Sequence, residues 1–141
     1  MKILCLHSDY IKVRPTKKAM KSADEIKEKV FESKEALVVF TSVEKGDGEN
    51  PENVIKNGIK EILNVFEQVK AKEIVIYPYV HLSQEPSSPK VAQEVLNGLT
   101  EGLSDHNAKK MPFGWYKAFE ISVKGHPLSE LSREITAEAE E

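Results

Sequence analysis

Short apolar runs alternate along this chain with two longer segments whose apolar residues recur at helical spacing. The runs Lys2–His7, Ala36–Val43 and Glu73–Val80 are rich in β-branched residues, which is typical of buried strands. The segments 51–70 and 89–103 follow the second and third runs. Alternating strands and helices favour an α/β fold in which the helices pack against the sheet.

Both helical segments begin with the same signal. Asn50 and Ser88 are favourable N-cap residues, and each is followed by a proline, which is well tolerated at the first position of a helix. The apolar stripes then recur every three or four residues. They consist of Ile55, Ile59, Ile62, Phe66 and Val69 in the first segment, and of Ala92, Val95, Leu96, Leu99 and Leu103 in the second.

Two further elements are predicted in the first third of the chain. The polar residues after Leu6 end the first strand, and Tyr10–Arg14 alternates as a second strand that Pro15 ends or places at an edge. Ser22–Glu25 has the pattern of a capping box, which predicts a short helix through about Ser33.

Near the C-terminus, Pro112 and Gly114 predict a turn that leads into an alternating strand, Tyr116–Val123. Lys117 lies on the otherwise apolar face of this strand. An ammonium is costly to bury without a polar partner, so Lys117 either extends to water or has a functional role. Pro127 then predicts a short helix that ends near Arg133.

The chain has 141 residues, which suits one domain, and patterning predicts about four or five strands and three or four helices. Its net charge of −3 argues against electrostatic coating of long nucleic acids but allows one nucleic-acid end to dock. A single cysteine excludes an internal disulfide framework, and Cys5 is expected to pack in a strand. With no signal peptide or membrane span in the pattern, we expect a cytoplasmic protein.

Several polar residues are candidates for chemistry because they lie at predicted strand or loop ends. His7 follows the first strand, His81 follows the third, and Glu130 lies on the predicted C-terminal helix. Each is also compatible with an ordinary exposed or structural side chain. The neighbours His7, Ser8 and Asp9 cannot form a catalytic triad, because consecutive strand residues do not point the same way.

The loop Glu44–Asn50 contains two glycines but lacks the spacing of a phosphate-binding or calcium-binding loop. A second charged segment lies between residues 12 and 21 and contains only basic charges. It is either a solvated face or a contact for a phosphate backbone. Its cations are Lys12, Arg14, Lys17, Lys18 and Lys21.

Five motifs in this order resemble the N-terminal editing domain of archaeal-type threonyl-tRNA synthetases. They are Ile3–Tyr10, Ser42–Lys45, Val75–Ser83, Pro112–Phe119 and Lys124–Ser132. The resemblance implies a fold like that of the D-aminoacyl-tRNA deacylases, with a mixed β-sheet and packed helices, and a homodimer. It also implies an editing domain over residues 1–134 and an acidic linker toward the rest of a synthetase over residues 135–141.

The resemblance implies proofreading hydrolysis of L-serine mischarged on threonine tRNA, without a metal or other cofactor. By the same resemblance, the hydrolysis relies on a bound water and on the 2′-hydroxyl of the terminal adenosine. The residues it assigns to catalysis are Lys117 and His81. Those it assigns to substrate binding are Tyr116 and Glu130, with main-chain contributions from Ser42, Val43, Glu44, Pro78 and Val80; His7 is added as a candidate from its place after the first strand.

Two alternatives remain open at this stage. One is a D-aminoacyl-tRNA deacylase on the same fold. That family uses a glycine-proline motif for chiral selection, and Gly125-His-Pro127 is not that dipeptide. The other is a non-catalytic appendage that binds tRNA or dimerises, which predicts that the pocket residues do not converge.

Overall fold

The computed structural model describes residues 1–139 and contains a six-stranded sheet with two helices. The elements are β1 (Lys2–Lys18), β2 (Phe31–Ser42), α1 (Pro51–Val69), β3 (Glu73–Pro78), α2 (Pro89–Gly102), β4 (Ala108–Lys110), β5 (Trp115–Val123) and β6 (Glu130–Glu134). Single turns of 3-10 helix cover Lys45–Glu49, Val80–Leu82 and Ser104–His106.

The sheet is mixed, with the strand order β4-β3-β2-β1-β5, and β6 also pairs with β1. The pairs β2–β3 and β3–β4 are parallel, whereas β1 is antiparallel to β2, β5 and β6. Each parallel connection contains a helix, as parallel strands require a crossover. The predicted α/β fold with a mixed sheet and packed helices is therefore confirmed.

The predicted helices 51–70 and 89–103 are confirmed almost to their ends. The side chains of Asn50 and Ser88 accept hydrogen bonds from Asn53 N–H and Val91 N–H, so both caps form as expected. The helices pack on one face of the sheet, where they bury Ile3, Cys5, Leu37, Val39, Ile74 and Ile76. This packing places the main hydrophobic core between the helices and the sheet.

A second apolar cluster lies on the opposite face, which the sheet partly encloses by curling. It contains Ile11, Val13, Ala36, Val38, Phe40, Val75, Tyr77 and Met111. The ring of Phe119 on β5 lies 5.8 Å from that of Phe40 and 5.2 Å from that of Tyr77, measured between centroids. Side chains of β5 therefore reach across the concave face of the sheet to β2 and β3.

The prediction that the first strand ends at residues 7–9 is wrong, because β1 continues through Pro15 to Lys18. The polar residues lie where the neighbour of β1 changes: Leu6 pairs with β6 and Ser8 pairs with β5. Asp9 is an extra residue relative to β5, and such bulges reorient side chains. Polar residues here mark this irregularity and do not mark the end of the strand.

The bulge also changes which residues face the helices. Cys5 packs under the helices, whereas Ile11, also an odd-numbered residue of β1, packs on the concave face. Glu35 on β2 lies at the same level and has a positive φ of 49°, which is uncommon outside glycine. The Lys124 ammonium contacts the carboxylates of both Asp9, at 2.6 Å, and Glu35, at 2.9 Å. Lys124 thus joins the two strands where both change face.

The helix predicted over residues 22–33 is wrong. Residues 19–30 form turns and bends, and β2 already begins at Phe31. Asp24 has tertiary partners in place of a helical cap: its carboxylate accepts the Phe113 N–H at 3.0 Å and lies 3.0 Å from Lys110 Nζ. These bonds outweigh the local capping preference, which is worth only about 1 kcal/mol.

The short helix predicted after Pro127 is also wrong, because Glu130–Glu134 is strand β6 paired with Lys2–Leu6. Leu128, which would face inward on that helix, is 39% exposed in the structure. Ile135 is buried and donates its N–H to the Met1 carbonyl at 2.7 Å, so the C-terminal segment has core contact that its acidic composition did not suggest. The linker assigned to residues 135–141 stays a prediction, and residues 140–141 lie outside the described part.

Replacing Asp24 with alanine should destabilise the protein by about 2 kcal/mol. The substitution removes the acceptor of the partly buried Phe113 N–H and the ion-pair partner of Lys110. Urea unfolding followed by circular dichroism measures this change. Glu25→Ala removes an adjacent exposed carboxylate and serves as the matched control. Equal stability of the two variants would contradict the role given to Asp24.

Candidate functional site

A cavity of about 520 Å³ opens beside the end of β3, where it is bounded by the Val80–Leu82 turn, the start of β5 and the residues that follow β1. Its lining is Ala19, Met20, Tyr77, Pro78, Tyr79, Val80, His81, Phe113, Gly114, Trp115, Tyr116, Lys117 and Phe119. The volume lies in the range of small-molecule sites, and a mostly apolar lining with a few polar groups is typical of them.

Lys117 is the only lysine or arginine side chain in this lining, as far as residues 1–139 are concerned. Its Nζ donates to the carbonyl oxygens of Pro112, at 2.8 Å, and Trp115, at 3.0 Å, and lies 5.2 Å from the centroid of the Tyr77 ring. Burial lowers the pKa of Lys117 to about 8, partly offset by the carboxylate of Asp24. Main-chain carbonyls therefore hold the ammonium at the cavity wall, and a functional role for Lys117 stays a prediction. An ammonium has three N–H donors, so one remains for a ligand.

The turn that precedes Lys117 depends on Gly114. Its φ is +79°, and a Cβ at this position would lie 2.8 Å from the Cα of Ala23. Its carbonyl accepts the Ala19 N–H at 2.8 Å, and the Trp115 indole donates to the Asp24 carbonyl at 2.8 Å. The turn is thus held by residues 19–24, which explains how Ala19 and Met20 come to line the cavity.

His81 borders the cavity from the other side, on the turn that follows β3. Its side chain is exposed, and its ring meets the ring of Tyr79 edge-on at a centroid distance of 5.0 Å. Val80 beside it is 53% exposed, which is high for a valine. The main chain of this turn and the imidazole therefore face the cavity from the wall opposite β5.

Ser42, Val43 and Glu44, the predicted main-chain contributors, do not line the cavity but hold its wall from behind. Ser42 Oγ donates to the Val80 carbonyl at 3.4 Å, and the Val43 carbonyl accepts the Ser87 N–H at 3.0 Å. The Glu44 carboxylate accepts the Ser83 hydroxyl at 2.6 Å and lies 3.3 Å from the α-ammonium of Met1. These bonds fasten the loop after β3 to the end of β2.

His7 and Glu130 lie away from the cavity within this chain. His7 is on β1 between β5 and β6, and Glu130 is an exposed residue of β6 that pairs with Leu6. The predicted convergence holds for Lys117, His81, Tyr116, Pro78 and Val80. His7 and Glu130 do not join them within a single chain. Both lie at the end of the pairing between β1 and β6, and neither lines the cavity.

Other lining residues were not predicted. The apolar face of β5 that carries Lys117 also carries Phe119, so alternation was a usable signal for that residue. Tyr77 and Tyr79 stand in the predicted strand, but nothing local shows which face they take. Ala19 and Met20 had no signal, because only the long β1 brings them to the turn at Gly114.

The loop after β5 forms a separate histidine pair. His7 Nδ1 lies 2.7 Å from His126 Nε2, and the backbone of His7 bonds to Lys124 and Ser129. His7 Nε2 is buried and has no hydrogen-bond partner among residues 1–139. Burial, followed by the neighbouring His126 and Lys124, holds the pKa of His7 below its usual range, against the opposite effect of Glu35 and Asp9. The pair therefore favours a neutral imidazole at residue 7.

We expect the free energy of unfolding to fall as the pH drops below about 6.5, because the unfolded chain then protonates residue 7 and the folded chain resists it. His7→Gln should reduce this slope between pH 7 and 5.5 in urea unfolding at a series of pH values. His81→Gln removes an exposed imidazole and should keep the slope. An unchanged slope in His7→Gln would refute the assignment.

No helix of residues 1–139 is long and apolar enough to cross a membrane. No group of three or more His, Cys, Asp or Glu side chains in the same range converges on a point where a metal ion could bind.

Similarity to known proteins identifies the family of this chain. A family profile described as the archaea-specific editing domain of threonyl-tRNA synthetase matches residues 1–135. The chain is 54% identical to threonine–tRNA ligase from Methanobrevibacter smithii and 50% identical to that from Pyrococcus horikoshii, in each case over 98% of this chain and 23% of the relative. The chain thus spans about a quarter of the length of these relatives. With the match covering both walls of the cavity, the chain belongs to the archaea-specific editing domains of threonyl-tRNA synthetase.

Proposed function

We propose that this domain hydrolyses L-serine esterified to threonine tRNA and spares L-threonine. The observation that carries the proposal is the half-buried ammonium of Lys117 on the wall of a cavity that is otherwise apolar and main-chain in character. The family supports the reaction class, since an editing domain acts on mischarged tRNA. The size and polarity of the cavity support a small hydroxylated amino acid and part of a nucleoside as ligand.

A separate editing site has a physical reason. A synthetic site built for threonine rejects serine only through one missing methyl group, which is worth roughly 1–3 kcal/mol. A second cavity can exclude the larger amino acid by size and hydrolyse the smaller one. The aromatic lining from Tyr77 and Phe119 gives this cavity rigid walls suited to such exclusion.

The chemistry we propose needs no side-chain nucleophile. Within residues 1–139, the lining contains no serine, threonine, cysteine, aspartate or glutamate. Cys5 is buried under the helices, and burial raises its pKa to about 12, so it is not a thiolate at neutral pH. A bound water, assisted by the ribose 2′-hydroxyl of the RNA, would attack the ester without a metal or other cofactor.

In this proposal Lys117 donates its third N–H to the seryl hydroxyl or to the attacking water. His81 helps to hold the substrate or the water, and the Tyr116 side chain, 62% exposed, contacts the nucleoside at the edge of the cavity. Main-chain groups of Pro78 and Val80 contact the amino acid, and backbone N–H groups stabilise the developing oxyanion. Glu130 and His7 have no part in this scheme within one chain.

We further propose that the domain binds threonine tRNA as a homodimer in the cytoplasm. Val80, Tyr116 and Phe119 are exposed by 53%, 62% and 42% and lie together at the cavity. Exposed apolar side chains gathered in this way occur at ligand-binding grooves and at protein interfaces, so in this proposal the partner chain borders the cavity and leaves its mouth open to the tRNA end. Sedimentation equilibrium of the chain would show whether it associates.

Lys117→Met should lower the rate of serine release from seryl-tRNA by about 100-fold, the usual loss when one aligned donor is removed from a polar transition state. Methionine keeps the length and apolar stem of lysine, so packing against Tyr77 is largely retained. Lys56→Met, on the exposed side of α1, is the matched control. Release of labelled serine and threonine from the two tRNA esters is measured in parallel.

Selective hydrolysis of the serine ester by the wild-type chain, lost in Lys117→Met, is the expected result. Equal activity of the two variants would remove Lys117 from the reaction. Cleavage of D-aminoacyl esters with both L-esters intact would favour a D-aminoacyl-tRNA deacylase. Survival of all esters at high protein concentration would favour a non-catalytic tRNA-binding or dimerising role.

The pH dependence separates two roles of Lys117. If its ammonium is the active form, the catalysed rate divided by the spontaneous rate should fall as the pH rises through about 8, because the ammonium then loses its proton. A ratio that instead rises above pH 8 would show that the neutral amine acts as a base.

A further inference from the structure

The loop that follows β2 binds the amino group of Met1. Met1 is buried, and its α-ammonium is fully enclosed. The ammonium donates to the Asp47 carboxylate at 3.0 Å and to the Ile135 carbonyl at 3.0 Å, and it lies 3.3 Å from the Glu44 carboxylate. These three acceptors match the three N–H donors of an ammonium. Both carboxylates belong to the loop Glu44–Asn50, whose spacing fits neither a phosphate-binding nor a calcium-binding loop.

The loop and the ammonium stabilise each other. Asp47 is buried, and its second carboxylate oxygen accepts the Glu44 N–H at 2.7 Å. The charges of Asp47 and the ammonium thus compensate each other away from water, where removal of one partner is strongly unfavourable. The Ile135 N–H donates to the Met1 carbonyl at 2.7 Å, so the first residue is also held by β-type backbone bonds on its other side.

The same set of bonds continues to the wall of the cavity. The Glu44 carboxylate accepts the Ser83 hydroxyl at 2.6 Å. The Ser83 N–H in turn donates to the Val80 carbonyl at 3.2 Å and closes the turn Val80–Leu82. Val80 and His81 of this turn line the cavity. One carboxylate and one hydroxyl therefore connect the α-ammonium to the wall that faces β5.

The connection depends on the charge of Glu44. Burial favours its neutral form, but the hydrogen bond from Ser83 and the ammonium of Met1 hold the pKa of Glu44 below its usual range. Its two oxygens have separate partners, since Oε1 faces the ammonium and Oε2 accepts the Ser83 hydroxyl. The Glu44 side chain is 19% exposed, so without the ammonium it is free to turn toward water and release Ser83.

We propose that the α-ammonium of Met1 is a positioning group of the cavity, which acts through Glu44 and Ser83 on the turn Val80–Leu82. This inference rests on the proposed function, because main-chain groups of this turn contact the amino acid in that scheme. A site that separates two amino acids differing by one methyl group needs walls at a fixed distance. A displacement of about 1 Å is enough to change the behaviour of such a site.

The first test adds one glycine before Met1. The addition converts the ammonium of Met1 into a neutral amide and moves the new ammonium by one residue, about 3.8 Å. Backbone hydrogen exchange is compared with that of the chain that begins at Met1. The amides of Lys45, Asp47, Ser83 and Ser87, which bond within and between the two loops, should exchange at least about 10-fold faster, the effect of one lost bond to a charged group. Exchange in α2 should not change, whereas general destabilisation would accelerate it as well.

Ser83→Ala breaks the connection at its other end and leaves the amino group unaltered. The amides of residues 83 and 87 should again exchange faster. The Asp47 amide, which donates to the Glu44 carbonyl, should stay protected because the ammonium still holds its loop. Ser87→Ala is the matched control, since the Ser87 hydroxyl donates to the adjacent Ser88 carbonyl and the substitution keeps the Ser87 N–H bonded to Val43.

The effect on the reaction is measured as a ratio. Release of serine and threonine from the two tRNA esters gives kcat/KM for each, and serine kcat/KM divided by threonine kcat/KM measures selectivity. This ratio should fall about 10-fold in the glycine-extended chain and in Ser83→Ala, because a displaced wall no longer excludes the additional methyl group. It should stay unchanged in Ser87→Ala. A chain that is only less stable loses both activities equally and keeps the ratio.

Equal exchange of the loop amides in the extended and unextended chains would overturn the proposal. An unchanged selectivity ratio together with faster loop exchange would also overturn it, because the ammonium would then hold the loop without positioning the site. Exchange does not depend on hydrolysis, so the two proposals can fail separately. Faster exchange confined to the two loops, with neither ester cleaved by the unextended chain, would support the connection from Met1 to the turn and refute the proposed function.

Discussion

The whole architecture depends on the hydrogen bonding of β1 to three other strands. β1 pairs with β2 along one edge and with β6 and then β5 along the other. Because its inward side changes at Asp9, the first half supports the helix-side core and the second half carries β5 over the concave face. Odd-numbered apolar residues of β1 thus face the helices before Asp9 and the concave face after it. The ion pairs of Lys124 with Asp9 and Glu35 hold the two strands together at this change.

The cavity is a consequence of that curvature. The end of β3 borders the cavity from the parallel part of the sheet. Lys117 reaches it from β5, which β2 and β1 separate from β3 in the sheet order. The Lys117 ammonium is kept on the wall by carbonyl oxygens of its own turn, and Asp24 holds that turn to the segment after β1. A partly desolvated cation bound only to neutral acceptors keeps an electrostatic influence that water would screen at the surface. Such a cation suits ester chemistry although the lining, within residues 1–139, contains no serine, cysteine or carboxylate.

Local signals succeeded where packing and local preference agreed. The two helices begin at Asn50 and Ser88 as predicted, because an N-cap, a proline and an apolar stripe act together there. Local signals failed where residues distant in the sequence formed more favourable hydrogen bonds or strand pairing. The capping pattern at Ser22 was overridden when Asp24 bonded to Phe113 and Lys110, and the residues after Pro127 formed a strand because the edge of β1 was free to pair with them. Burial of Ile135 likewise follows from its bond to Met1, far away in sequence.

The sequence by itself determined the α/β class, the two helices, the apolar face shared by Lys117 and Phe119, and the motifs that mark the family, since all of these depend on residues close together in the chain. Only the tertiary structure decided which candidates meet. Lys117, His81, Tyr116, Pro78 and Val80 share the cavity, Ser42–Glu44 support its wall, and His7 pairs with His126 elsewhere. The reason is that strand pairing and the bulge at Asp9 set the direction of each side chain, and neither is written in any local pattern.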